Sequence, residues 1–230
     1  MVIHKLNVGP LEVCCYIVVD SASSETIVID PGADAEVITA FIMERRLIPR
    51  LVVITHGHGD HIGANAALKK SFPDVQICVH VEDQDMLPYP AKNLSILAAF
   101  FGGTTVRSPL ADRILKDGDV VSIKGCDFEI IHTPGHTHGG ICLFCKTREG
   151  ELPPVLFSGD TLFKDGIGRT DFPGCSQERL IQAIRERLFV LDEKTVVYPG
   201  HGQSTTIAEE KRNNPFLKKL FLKNRISNKE

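Results

Sequence analysis

The sequence predicts an α/β fold in one domain, and three observations carry that prediction. Strand-like and helix-like segments alternate through the N-terminal half. The C-terminal half is richer in strands and ends in amphipathic helices. Four short apolar runs stop just before a histidine or an aspartate, as strands do when they deliver side chains to a common edge.

The first thirty residues read as strands, with β-branched runs at 13–19 and 26–29 on either side of a turn at 21–24. Asp30, Pro31 and Gly32 close the second run. Residues 34–46 set Val37, Ile38, Phe41 and Ile42 at helical spacing, and Pro49 follows. A wholly apolar strand at 51–54 precedes a helix over 63–72 and a strand over 75–79. Residues 81–103 are expected to be helical but irregular, with prolines at 88 and 90, and to form a flap or wall beside a cleft. Strands follow at 120–123, 128–132, 141–144 and 155–157, then a helix over 177–188, a strand at 195–198 and a helix near 207–212. No repeat or Gly/Ser linker divides the chain, so 1–215 reads as one domain and 216–230 as a basic C-terminal tail.

Composition narrows the function classes. With 43% apolar and 24% charged residues the chain is globular rather than disordered. A net charge of -3 gives no pull toward nucleic acid or anionic lipid, and no apolar run is long enough to span a membrane. Neither nucleic acid nor membrane is therefore an expected partner. Residues 1–6 lack the pattern of a secretory signal, which makes the compartment expected for this chain cytoplasmic. Seven irregularly spaced cysteines argue against a disulfide framework. Cys142 and Cys145 form a C-x-x-C pair inside an apolar strand, where residues three apart face opposite sides, so they read as core cysteines.

The four strand ends hold the candidate chemistry. Residues 51–55 run into His56, 128–135 into His136, 155–159 into Asp160 and 195–200 into His201. The first is dense, with His56, His58, Asp60 and His61 interleaved with Gly57 and Gly59. Those glycines let the loop turn sharply, so His56 and His58 can meet one ion while Asp60 and His61 reach toward a second. Ligand density of this kind marks a metal site, where a lone histidine would not.

This H-x-H-x-D-H run, followed in order by His136, Asp160 and His201, resembles the metallo-β-lactamase superfamily. The resemblance extends from Asp30 to Gly202 and implies a four-layer αββα sandwich with the metals at one edge of its two sheets. It implies that one ion takes His56, His58 and His136, that the other takes Asp60, His61 and His201, and that Asp160 bridges both. All seven donors are nitrogen or oxygen, which suits two divalent ions, zinc first and iron or manganese as alternatives. Two such ions make a bridging hydroxide available near neutral pH, which points to a hydrolase, with Asp60 as the candidate catalytic residue that orients the nucleophile.

Within the superfamily, residues 158–163 and 167–174, together with 93–95 and 200–202, resemble the glyoxalase II-like group. Members of that group hydrolyse thioesters, notably hydroxyacyl-glutathione, so a small-molecule thioester is the expected substrate. Arg169 stands where the group places a basic contact to glutathione, and its guanidinium would hold a carboxylate bidentately. An ion pair within its own loop is the alternative use. The chain departs from full-length glyoxalase II after 213–217, where a C-terminal helical domain would follow, and Lys218, Lys219, Lys223 and Arg225 read as a solvated tail. Residues 168–172 are shared with persulfide dioxygenases, which use one iron and O₂, and this is the runner-up activity. A metal-bound, non-catalytic binding scaffold is the non-enzymatic alternative, against which the intact ligand set argues. Antibiotic-hydrolysing members fit less well, since they typically lack the bridging aspartate. His4, His80, His132 and His138 are not assigned to the centre.

Overall fold

The computed structural model describes residues 1–100, 103–147 and 153–218. β1 (Val2–Val8), β2 (Val13–Val19), β3 (Glu25–Ile29), β4 (Ile48–Val53), β5 (Gln76–His80) and β6 (Arg113–Leu115) form a six-stranded sheet in that order. Its first three strands are antiparallel, and β3 to β6 are parallel. The parallel links run through α1 (Ala35–Glu44), then α2 (Gly59–Ile62) with α3 (Asn65–Ser71), and then a long segment containing α4 (Ser95–Phe100).

The second sheet is built from β7 (Val120–Ile123), β8 (Cys126–His132), β9 (Ile141–Cys145) and β10 (Val155–Gly159). A small hairpin of β11 (Leu162–Phe163) and β12 (Gly166–Ile167) follows, then α5 (Gln177–Ala183), which continues as a π-helical turn to Leu188. β13 (Val196–Pro199) returns parallel to β10, β14 (Thr205–Thr206) pairs beside it, and α6 (Ile207–Asn213) follows. The order across this sheet is β14-β13-β10-β9-β8-β7.

β2 is apolar along its whole length because both of its faces are covered. Cys14, Tyr16 and Val18 face the other sheet, in one cluster with Phe128, Leu143 and Phe157. Cys15, Ile17 and Val19 face the helices, with Ile38, Ile42 and Leu68. A third cluster packs Ile131, Leu156 and Val197 of the second sheet against Leu180, Ile184, Leu188 and Ile207. Helix, sheet, sheet and helix thus stack in the αββα order. Cys142 and Cys145 do face opposite sides of β9, the first in the outer cluster and the second between the sheets.

Two expectations shift. The helix expected over 63–72 begins earlier, at Gly59, and is interrupted because the Ala64 N–H bonds to the Pro31 carbonyl. The described residues of 81–103 hold less helix than expected, a 3₁₀ turn at Gln84–Met86 and then α4, with Pro88 and Pro90 between them, and 101–102 lie outside the described residues. β6 and the two-residue strands carry too few residues for any periodicity to show. The basic tail beyond Lys218 lies outside the described residues. Among the described residues no helix is long and apolar enough to cross a membrane.

Candidate metal centre

His56 and His58 follow β4 in the first sheet, and His136 follows β8 in the second. Their donor atoms converge: His136 Nε2 lies 3.2 Å from His56 Nε2 and 3.0 Å from His58 Nδ1. An ion bound tetrahedrally at ~2.0–2.1 Å to nitrogen spaces its ligands by roughly 3.3 Å, so these contacts are nearly the edges of a coordination tetrahedron. Burial, helped by the neighbouring imidazoles, pushes His56 well below the ordinary histidine range and His58 down to about 3. Both rings are therefore neutral at physiological pH, with lone pairs to offer.

A second triad stands beside the first. Asp60 Oδ2 lies 3.7 Å from His61 Nε2 and 3.6 Å from His201 Nε2. Asp160, at the end of β10, reaches both groups: Oδ1 is 3.6 Å from His61 Nε2, and Oδ2 is 3.6 Å from His136 Nε2 and 3.7 Å from His201 Nε2. His61 Nε2 and Asp160 Oδ1 are buried and lack hydrogen-bond partners. Buried polar atoms left so are costly, and a cation satisfies both at once. Burial opposes a charge on His61, but Asp60, Asp160 and Asp30 outweigh it and push its pKa up to about 10. His201 is raised in the same way against its burial, by Asp60 and Asp160. Burial would raise Asp60, yet His61, His201 and His58 hold it low. A divalent cation in this triad would take the place of the proton that the carboxylates otherwise hold on His61. The seven donors expected from the sequence are thus brought together, and they fit two ions.

Partners behind the donors fix which nitrogen faces the centre. Nδ1 of His136 donates to the Arg169 carbonyl at 2.8 Å, and Nδ1 of His201 to the Leu11 carbonyl at 3.0 Å. Asp30, just past β3, accepts from His61 Nδ1 at 3.0 Å and from Thr55 N and Oγ1 at 2.7 and 2.6 Å. Thr55 Oγ1 in turn lies 3.2 Å from His56 Nδ1, so one carboxylate orients a histidine in each triad. Asp30 was not predicted as a site residue, although it occupies the same strand-end position as the ligands. Asp83, also missed, accepts from Gly57 N, Thr137 Oγ1 and Gly139 N. Gly200 is required beside the centre, since a Cβ there would press on Asp160 Oδ1 and stand 2.9 Å from His61 Cε1.

Arg169 sits at the rim of the first triad. Its Nε and Nη2 each bond to Asp171 at 2.8 Å, and its guanidinium lies 4.0 Å over the Phe172 ring. Phe172 in turn is edge-on to His58. The ion pair within the loop is formed, and Nη1 is not engaged among the described residues. His132 donates through Nε2 to the His138 carbonyl at 2.8 Å and stacks on His80 at 4.1 Å. His80, Glu82 and His132 bring three donors together, but the nearly parallel rings, 18° apart, do not aim at one ion.

Residues 8–201, a span that includes all seven donors, match the family described as the Metallo-beta-lactamase superfamily. The chain belongs to that superfamily. It is similar to the hydroxyacylglutathione hydrolase GloC of Haemophilus influenzae, with 38% identity over 218 residues, 94% of this chain and 98% of that one. Among solved structures it is similar to the BLEG-1 B3 metallo-β-lactamase, with 33% identity and a TM-score of 0.85 over 94% of this chain and 100% of that one. It is also similar to TTHA1623, solved in a di-iron-bound form, with 34% identity and a TM-score of 0.79 over 93% of this chain and 100% of that one. Superfamily membership supports a metal-dependent hydrolase, and the GloC similarity supports the glyoxalase II-like group within it.

Proposed function

We propose that the protein is a dinuclear metal-dependent thioesterase acting on hydroxyacyl-glutathione or a thioester of that class. One observation carries the reading: two donor triads flank one shared carboxylate, Asp160, which stands within 3.7 Å of His61, His136 and His201. Two divalent ions held there would supply hydroxide near neutral pH, by lowering the pKa of water from about 15.7 to about 7, and an electrophile for the acyl oxygen. Zinc suits the donor set first. The di-iron form of TTHA1623 supports iron as an alternative.

The remaining work falls to the chain. Asp60, kept ionised by His61, His201 and His58, accepts a hydrogen bond from the attacking water and aims it at the acyl carbon. Asp30 and the carbonyls of Leu11 and Arg169 hold His61, His201 and His136 in the tautomer that turns Nε2 inward. Asp171 holds the Arg169 guanidinium in place, and Nη1 is offered to a substrate carboxylate.

The test is turnover of a hydroxyacyl-glutathione thioester by protein purified without chelator. Thioester hydrolysis that disappears together with the metal in Asp160→Ala and His58→Ala supports the reading. Full activity in either variant refutes the ligand assignment. A second reading, persulfide dioxygenase, is favoured by the shared residues 168–172. Oxygen uptake with glutathione persulfide and one iron per chain would replace the first reading with the second. Turnover of a β-lactam but not of a thioester would point instead to the activity named for BLEG-1.

A further inference from the structure

We infer that Asp83, in the turn after β5, is a positioning residue that assembles the three-histidine site by clamping together the two loops that carry it. The inference rests on the metal centre proposed above and assigns a residue outside its ligand set. His56 and His58 lie on a loop of the first sheet and His136 on a loop of the second, so something must hold the two in register. Asp83 is 0% exposed. Its Oδ2 accepts from Gly57 N at 2.9 Å and from Thr137 Oγ1 at 2.7 Å, and its Oδ1 accepts from Gly139 N at 2.7 Å. Gly57 lies between His56 and His58, and Thr137 follows His136. One carboxylate therefore bonds to an immediate chain neighbour of every ligand in the triad.

The fit around this clamp is tight. A Cβ on Gly139 would stand 2.6 Å from Asp83 N and 2.8 Å from Oδ1, and a Cβ on Gly57 would run into Met86 of the same turn. The end of β5, just before the turn, makes a second contact through the His80–His132 stack, and His132 holds the His138 carbonyl. Asp83 is not itself a ligand, since both of its oxygens are taken up by Gly57 N, Thr137 Oγ1 and Gly139 N. Three donors aim at its two oxygens, so both act as acceptors. Asparagine would turn an amide N–H₂ toward at least one of them. The other triad is held from elsewhere, by Asp30 and the Leu11 carbonyl. Loss of the clamp should thus weaken one ion and spare its neighbour.

The experiment is a chelator-competition titration of Zn²⁺ into metal-free wild type, Asp83→Asn and Thr137→Val, with urea unfolding of each metal-free protein. Adding His201→Ala removes a ligand of the other triad and assigns the affinities. For Asp83→Asn the three-histidine affinity is expected to fall ~10–100-fold, the cost typical of losing an outer partner of metal ligands, while the second changes by less than about twofold. Thr137→Val removes one of the three bonds and is expected to weaken the same ion by about tenfold, which keeps the inference testable if Asp83→Asn does not fold. Wild-type affinities at the three-histidine site in both variants would overturn the role of Asp83 and leave the metal centre standing. A wild type that binds no Zn²⁺ on the three histidines would overturn both. Equal losses at the two sites would also overturn it, as the mark of general unfolding rather than of a clamp.

Discussion

Replacing Asp30 with asparagine should loosen both triads at once. The new side chain would keep an acceptor for Thr55 N, but its amide N–H₂ would then face the Thr55 hydroxyl and His61 Nδ1, two groups that now donate at 2.6 and 3.0 Å. Both partners are buried, so neither recovers the lost bond from water. Removing one partner of a buried charged pair typically costs ~3–5 kcal/mol. Against a total stability of ~5–15 kcal/mol this is a large share. At roughly 2–4 °C per kcal/mol for a chain of this size, the unfolding midpoint of the metal-free protein is expected to drop by about 6–20 °C. Calorimetry of the metal-free wild type and variant measures the drop directly. His61 also loses the acceptor that fixes its tautomer, so zinc affinity at the second triad should fall ~10–100-fold. A midpoint within about 2 °C of wild type, with both zinc affinities unchanged, would refute the reasoning.

Three further outcomes are expected. Gly200→Ala places a methyl against Asp160 Oδ1 and His61, so metal content and thioester turnover should fall together, as measured by elemental analysis and a thiol-release assay. Arg169→Ala should raise KM for a glutathione thioester by about tenfold and leave kcat within about twofold, the signature of lost uniform binding; an unchanged KM would confine Arg169 to its pairing with Asp171. Stripping the metal with a chelator should lower the thermal midpoint, and restoring an ion at 100 times its Kd should return ~2.7 kcal/mol per site, read by calorimetry.

The seven candidate donors were legible in the sequence because each stands just past an apolar strand and four crowd between His56 and His61. The layers followed from the family resemblance and not from periodicity; β2, covered on both faces, accords with them. Asp83 was not legible. A carboxylate that bonds to amides of distant loops leaves no periodicity and no spacing, and its role exists only once the two sheets are stacked. Asp30 was half legible, since its strand-end position matches that of the ligands, but its bonds run to Thr55 and His61 rather than toward the centre. The segment 81–103 is helical and irregular as expected, with less helix among its described residues because Pro88, Pro90, the bond from Asn93 Nδ2 to the Val106 carbonyl and that from Val106 N to Ser95 Oγ favour turns.

Metal content per chain tests the central claim most directly. Protein purified without chelator should carry two divalent ions, and Asp160→Ala, which removes a carboxylate that touches both triads, should lower the affinity of each. A single ion per wild-type chain, with the Asp60–His61–His201 group unable to take up a second, would contradict it.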